Sequence, residues 1–328
     1  MTESVLQLRD VRISFKTPNG EVQAVRGVDL DVAPGEMVGV VGESGSGKSV
    51  TFLGVLGLLP SSARISGSAT VGGTELVGAK TSTMRTVRGK RVAMIFQDPL
   101  SALNPVHRVG DQIVEMIQAH SKVLSAEAHA RAVELLDIVG IPQPKDRARQ
   151  YPHEFSGGMR QRVMIAMAIA NDPEVLVADE PTTALDVTVQ AQILEVVQRI
   201  QRDMKTAVVM ITHDLGVIAR VADRVQVMYA GRVVERAGIV DLFDRPTHPY
   251  TMGLLHSLPR HGQERLEPIA GSPPNMLRPP TGCAFRARCE MAMPKCADDP
   301  VPELVPFGRS FSACVRVNEI VASGEVLA

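Results

Sequence analysis

The chain has 328 residues, enough for one large domain plus an appendage and for a sizeable buried core. Hydrophobic residues make up 45% and charged residues 22%, the balance of a soluble globular protein. With 35 basic and 36 acidic residues the formal net charge is −1, so no global basic excess points to nucleic acid.

The N-terminal "MTESVLQLRD" has no basic segment followed by an apolar run, so no secretory signal is expected. The longest apolar runs, "AVVMI" and "VMIAMAIA", fall far short of the ~20 residues that span a bilayer. The expectation is a cytosolic chain whose membrane role, if any, comes through a partner. "VLQLRDVRISF" and "VQAVRGVDLDV" read as alternating strands separated by the turn signal "PNGE", an antiparallel edge sheet. "MVGVV" at 37–41 is a short β-branched run, read as a buried parallel strand. It feeds a glycine-rich loop and the helix-compatible "SVTFLGVLGLL".

From about 106 to 170, "VGDQIVEMIQAH", "AEAHARAVELLDIVG" and "MRQRVMIAMAIA" place apolar residues three and four apart, the helical period. "VLVAD" and "AVVMIT" are again buried strands, separated by the helix "TVQAQILEVVQRIQRDM". Such alternation implies a parallel sheet covered on both faces. "RVQVMYAGRVVERAG" reads as a hairpin turning at Ala230-Gly231. After about 245 proline and glycine accumulate, which disfavours long helices and central strands, and a boundary is placed near 260.

"GESGSGKS" supplies Gly42, Ser44, Gly45, Ser46, Gly47, Lys48 and Ser49 in the pattern G-x-x-x-x-G-K-[ST]. Its glycines let successive backbone N–H groups cradle phosphate oxygens, and the following helix N-terminus adds partial positive charge. Lys48 can reach the β- and γ-phosphates, and the Ser49 hydroxyl can ligate Mg²⁺. The bland alternative is a glycine turn, and the strand–helix context disfavours it. "VLVADEP" ends a strand in two carboxylates. Asp179 is placed to hold Mg²⁺ through water, and Glu180 to polarise the attacking water. Alone, such a pair is often a solvated turn; the glycine loop upstream changes its weight.

"FSGGMRQR" places Ser156, Gly157 and Gly158 at a helix start, about twenty residues before that pair. Here the sequence resembles the ATPase subunits of ATP-binding-cassette transporters, whose signature is typically LSGGQ. Phe155 and Met159 depart from it; Ser156, Gly157 and Gly158 do not. The resemblance, over about residues 5–260, implies further positions. Gln97 in "IFQDP" resembles the Q-loop glutamine, a metal and water contact, and "ALD" at 184–186 resembles the D-loop. His213 in "ITHDL" resembles the switch histidine, and Phe15 the adenine-stacking aromatic. The implied fold is a P-loop NTPase cassette: a mixed α/β core, an antiparallel edge sheet and a helical subdomain at about 100–170. The cassette is expected over 1–259 and a tail over 260–328. ATP would sit between two cassettes, so the chain needs a partner.

"IFQDPLSALNPV" and "RPTHPYTMGLLHSLP" are similar to the oligopeptide and dipeptide importer branch. That implies a second, related cassette ATPase, two permease subunits, and an extracytoplasmic peptide-binding protein in the full system. The chain itself would lie on the cytoplasmic face of the membrane. The alternatives are the same role for nickel or another small solute, or a non-transport cassette. Against the latter, only 106 residues separate Ser49 from Ser156, with no sustained heptads. "HPYT" alone could be a proline stop after a helix. Leu100 and Leu103 are expected to face the permease.

All four cysteines, Cys283, Cys289, Cys296 and Cys314, lie in the last 46 residues. In a reducing compartment such clustering favours metal over disulfides. The gaps of five, six and seventeen residues exceed ordinary zinc-finger pairs. "GCAFRARC" resembles the tail of dipeptide importer ATPases that hold a [4Fe–4S] cluster; structural zinc ranks second and unligated thiols third. The cluster would staple the tail without entering the ATPase chemistry, with Arg286 and Arg288 offsetting its charge.

Overall fold

The structure is a computed structural model describing residues 4–183, 185–258, 268–298 and 300–323. Ala184 of the expected "ALD" segment and the expected boundary at 259/260 lie outside the described residues.

Two sheets organise the chain. The smaller runs β2 (Gly20–Val32), β1 (Leu6–Thr17), β4 (Ala63–Val71), β5 (Thr74–Glu75), all antiparallel. β1 and β2 form the expected hairpin, closing at Thr17↔Gly20, with Leu6, Leu8, Val11 and Ile13 buried. β4 and β5 are absent from the sequence reading. "ARISGSATV" is rich in small and polar residues, and strand-interior glycine weakens the pattern. A Cβ at Gly67 would collide with the Asp10 carbonyl, beside the irregularity where β1 and β4 shift register.

The larger sheet has eight strands. In order they are β11 (Val305–Phe307), β12 (Ser310–Ser312), β10 (Arg232–Gly238), β9 (Arg224–Tyr229), β3 (Met37–Val41), β8 (Ala207–Thr212), β7 (Val175–Asp179) and β6 (Val92–Ile95). From β9 to β6 all pairs are parallel. β3, β7 and β8 are buried along their whole lengths, as strands covered on both faces must be. Their alternate residues feed two cores. Val38, Val40, Val175, Val177, Val209 and Ile211 pack toward the antiparallel sheet. Met37, Val41, Leu176, Ala178, Val208 and Met210 pack into the helical side.

The helices Val109–Gln118, Ser125–Ile138 and Gly157–Ala168 occupy the expected region and share that second core through Ile113, Leu135, Leu136 and Val163. Phe155, which stands where a leucine is typical, is 3% exposed and belongs to the same core. The tail joins the cassette's own sheet: β12 pairs with β10 through Glu235↔Ser312 and Arg236↔Phe311. The Arg236 guanidinium lies 4.1 Å from the centre of the Phe311 ring.

Candidate nucleotide site

The glycine loop leaves β3 and enters the helix Lys48–Val55, as strand and glycine order require. Gly42 has φ +152°, and a Cβ there would collide with the Met228 carbonyl. Gly47 has φ +99°, and a Cβ would stand 2.7 Å from the Ala24 carbonyl oxygen. Only glycine closes this turn against two neighbouring backbones. Lys48, 5% exposed, donates from Nζ to the Gly42 carbonyl at 2.6 Å and the Glu43 carbonyl at 3.0 Å. Burial lowers its pKa, opposed by the charges of Glu180, Asp179 and Glu43. A cation so poorly hydrated is ready to trade carbonyls for phosphate oxygens.

The end of β7 carries both carboxylates to the loop, and the end of β8 brings His213. Ser49 Oγ donates to Asp179 Oδ1 at 2.6 Å, bringing together two of the three expected Mg²⁺-binding groups. Burial raises the Asp179 pKa, against the Ser49 hydrogen bond. Glu180 sits at φ +46°, turning its side chain out of the strand line. It accepts from Thr183 Oγ1 at 2.8 Å and Gln97 Nε2 at 3.1 Å, and its Oε1 lies 3.2 Å from His213 Nδ1. Burial pushes the Glu180 pKa up, but the hydrogen bonds of Thr183 and His213 and nearby positive charge more than offset it. Its carboxyl titrates below the ordinary range and is ionised at neutral pH. Glu180, Gln97, His213, Lys48 and Ser49 line one open cleft of about 740 Å³. Such a volume suits a cofactor-sized ligand.

Two groups of expected residues stand elsewhere. Phe15 is half-buried against the core under the antiparallel sheet and is not among the residues lining the cleft. Ser156 and Gly157 are exposed at the start of the helix Gly157–Ala168, also outside the cleft. Ser156 Oγ caps that helix, accepting from the Met159 N–H at 3.3 Å. A Cβ on Gly158 would meet Val189 Cγ1 at 2.5 Å. Of the two leucines expected to face a permease, Leu100 is 62% exposed, but Leu103 is 4% exposed and belongs to the core.

The His248–Thr251 segment is no stop. His248 caps a new helix, Pro249–His256, its Nδ1 accepting from the Tyr250 N–H at 3.1 Å. Proline at the first helical position suits a helix start. Burial lowers the His248 pKa to about 3, so the ring is neutral. Tyr250 Oη accepts from the Glu43 N–H at 2.8 Å, a contact to the glycine loop that no local sequence signal announces.

In the tail, Cys283, Cys289, Cys296 and Cys314 line a single small cavity as free thiols. Burial raises the pKa values of Cys283, Cys289 and Cys314, and neighbouring thiols push each further up. Four soft sulfur donors around one cavity fit a thiolate-ligated metal centre in kind. The expected [4Fe–4S] or zinc site is nevertheless not drawn together: among the described residues no group of three or more His, Cys, Asp or Glu is arranged to hold a metal ion. Arg286 lines the cavity as expected, but Arg288 turns away and pairs with Glu43 of the glycine loop at 2.7 Å.

Fold and cleft together define a P-loop cassette that binds and hydrolyses a nucleoside triphosphate. The comparisons with known proteins agree. The ABC transporter family profile matches residues 25–183, and the oligopeptide/dipeptide transporter C-terminal region matches 234–296. The oligopeptide transport ATP-binding protein OppD of Salmonella typhimurium is 48% identical, over 97% of this chain and 95% of its own. The dipeptide transport ATP-binding protein DppD of Bacillus subtilis is 51% identical, over 90% and 89% respectively. A dimeric ATP-binding cassette solved after hydrolysis, with ADP and Pi, superposes with a TM-score of 0.64 at 26% identity, over 71% of this chain and 98% of that one. The chain belongs to the ABC transporter ATPases, in the branch that carries the oligopeptide/dipeptide transporter C-terminal region.

Proposed function

We propose that the chain is the ATP-hydrolysing subunit of a membrane importer and powers uptake of di- and oligopeptides. Half-identity to OppD and DppD over nearly the whole length supports the peptide substrate. The observation that carries the chemistry is Glu180, held by Gln97, Thr183 and His213 at the mouth of the glycine-loop cleft. The chain works at the cytoplasmic face through two permease subunits, with an extracytoplasmic binding protein delivering peptide. It pairs with a second, related cassette ATPase, to which it offers Ser156, Gly157 and Gly158. The exposure of Ser156 and Gly157 at a helix start is what such a shared site needs. Residues 1–259 form the cassette and 260–328 the tail.

In this reading the backbone of Gly42, Ser44, Gly45, Ser46 and Gly47 receives the phosphate oxygens. Lys48 leaves its loop carbonyls for the β- and γ-phosphates. Ser49, Asp179 and Gln97 would hold Mg²⁺, which neutralises charge on the phosphates when bound. Phe15 stacks on the adenine. Glu180 takes a proton from water as its oxygen bonds to the γ-phosphorus and the bond to the ADP oxygen breaks; His213 and Gln97 hold the carboxylate in line. Glu180→Gln should slow phosphate release by ~100-fold or more while ATP is still bound, the range for losing a general base. Release at the wild-type rate in the assembled transporter would refute the assignment.

The four cysteines are assigned to a [4Fe–4S] cluster, with zinc as second choice. Their convergence on one cavity supports this. The cluster would supply a covalent staple to a tail with little core of its own. Protein purified without oxygen should carry about four iron and four sulfide per chain. Stoichiometric zinc would make the tail a zinc module, and stably folded metal-free protein would dismiss both.

A further inference from the structure

Glu43, the second residue of the glycine loop, is a junction of three parts of the molecule. Its carboxylate accepts two hydrogen bonds from Arg288, 245 positions away: Nη1 to Oε2 at 2.7 Å and Nη2 to Oε1 at 2.9 Å. Its N–H donates to Tyr250 Oη at 2.8 Å, from the helix that His248 caps. Its carbonyl accepts from Lys48 Nζ at 3.0 Å. One residue thus joins the cysteine tail, the His248–Thr251 segment and the phosphate-binding lysine.

Arg288 is built to hold this position. Its side chain is 5% exposed. Nε donates to the Ala270 carbonyl at 2.9 Å and Nη2 to the Ile269 carbonyl at 3.2 Å. Its guanidinium lies 5.8 Å from the Tyr229 ring centre and 5.9 Å from that of Phe285. Phe285 is itself anchored edge-on to Tyr229 at 5.3 Å. Both Phe285 and Arg288 lie on the loop "CAFRARC" between Cys283 and Cys289. A bidentate guanidinium–carboxylate pair fixes geometry as well as distance, and its partial burial makes it stronger than an exposed pair.

We propose that Arg288 is a positioning residue for the phosphate loop: from the cysteine segment it clamps Glu43 and sets the place of the Glu43 carbonyl against which Lys48 rests. This rests on the reading of the cleft as an ATP site. Arg288 then acts on nucleotide binding from outside the cleft, whose wall Pro268 and Ile269 of the same tail help to form. Lys48 must leave the Glu43 carbonyl to reach phosphate, and the loop must keep its shape while it does so. Arg288 holds the loop through the Glu43 carboxylate and Tyr250 through the Glu43 N–H, leaving the carbonyl to Lys48.

The test uses the full chain assembled with its transporter partners, reading ATP affinity, KM, kcat and thermal midpoint together. Arg288→Met should raise the KM for ATP about tenfold with kcat changed less than about twofold, the value of a lost charge-assisted pair. Arg288→Lys should recover only part, because an ammonium cannot make the two-pronged contact. Glu43→Gln should reproduce the rise, and the double variant should be no worse than the worse single one, the sign of shared action. A KM within twofold of wild type for a well-folded Arg288→Met protein overturns the proposal. So do additive effects, or lowered thermal midpoints with KM unchanged. Should Arg288→Met not fold, Glu43→Gln carries the same test, and an unchanged KM there is equally fatal. Failure of the wild-type chain to bind ATP in a Lys48-dependent way would instead refute the cleft assignment.

Discussion

The nucleotide cleft and the cysteine tail are built on opposite principles. The cleft stands on strands buried along their entire lengths, β3, β7 and β8, whose ends lead into Glu43, Glu180 and His213 in its lining. Its two strand-end carboxylates are held by contacts internal to the cassette, Asp179 by Ser49 and Glu180 by Gln97, Thr183 and His213. The tail has short elements, two three-residue strands, two short 3₁₀ turns and the seven-residue helix Val317–Ser323, and borrows its support. Phe285 inserts into the cassette's main core, β12 extends the cassette's sheet, and Arg288 ties to Glu43. A segment unable to bury enough apolar surface alone becomes ordered by docking. Where it docks is therefore informative, and here it docks behind the phosphate loop.

The contrast predicts that one tail residue should matter as much to stability as a core residue of the cassette. Phe285 is 4% exposed and contacts the rings of Tyr229, Tyr250 and His248. Phe285→Ala should cost about 3–5 kcal/mol, the range for a fully buried phenylalanine. Chemical denaturation of the whole chain reads this. A loss below about 1 kcal/mol would mean that the tail is a passenger. On the cleft side, Lys48→Ala should weaken ATP binding by about 1.5–3 kcal/mol, roughly ten- to a hundredfold, with little change in melting. Equilibrium titration with a fluorescent ATP analogue decides it; unchanged affinity would remove Lys48 from the site.

A pH-dependent effect sharpens the junction between the regions. The pKa of His248 is depressed by burial to about 3, so its neutral form is favoured in the folded chain. Its stability contribution is complete above the unfolded value of ~6.5 and is lost as pH falls from there toward 3, by up to about 1.4 kcal/mol per pH unit. His248→Asn, which keeps a cap acceptor, should flatten the acid limb of the stability profile between those values. An unchanged acid limb would mean that His248 is not the group that titrates.

The two regions also differ in how much the sequence discloses. The cleft was legible because its signals are local. The loop from Gly42 to Ser49 follows a buried strand, and Asp179-Glu180 ends another. Helical periodicity likewise placed the segments around Ile113, Leu135 and Val163. What escaped is carried by backbone or by distance. β4 is broken by small residues and Gly67, and β11 contains Pro306, so neither shows a clean period of two. Pro249 reads equally as an ending or a beginning, and only the His248 cap decides. Leu103 looks like its neighbour Leu100 in sequence, yet one is core and the other surface. The Arg288–Glu43 pair spans 245 positions, and no periodicity or motif connects its ends.

The central claim is that the cleft hydrolyses ATP in the service of peptide import. It is tested most directly by phosphate release from the chain assembled with permease subunits and the proposed second cassette, with and without peptide delivered by the binding protein. Hydrolysis should be abolished in the Lys48→Ala protein and should rise when di- or oligopeptide is supplied. Hydrolysis indifferent to peptide and rising instead with nickel or another small solute would contradict it.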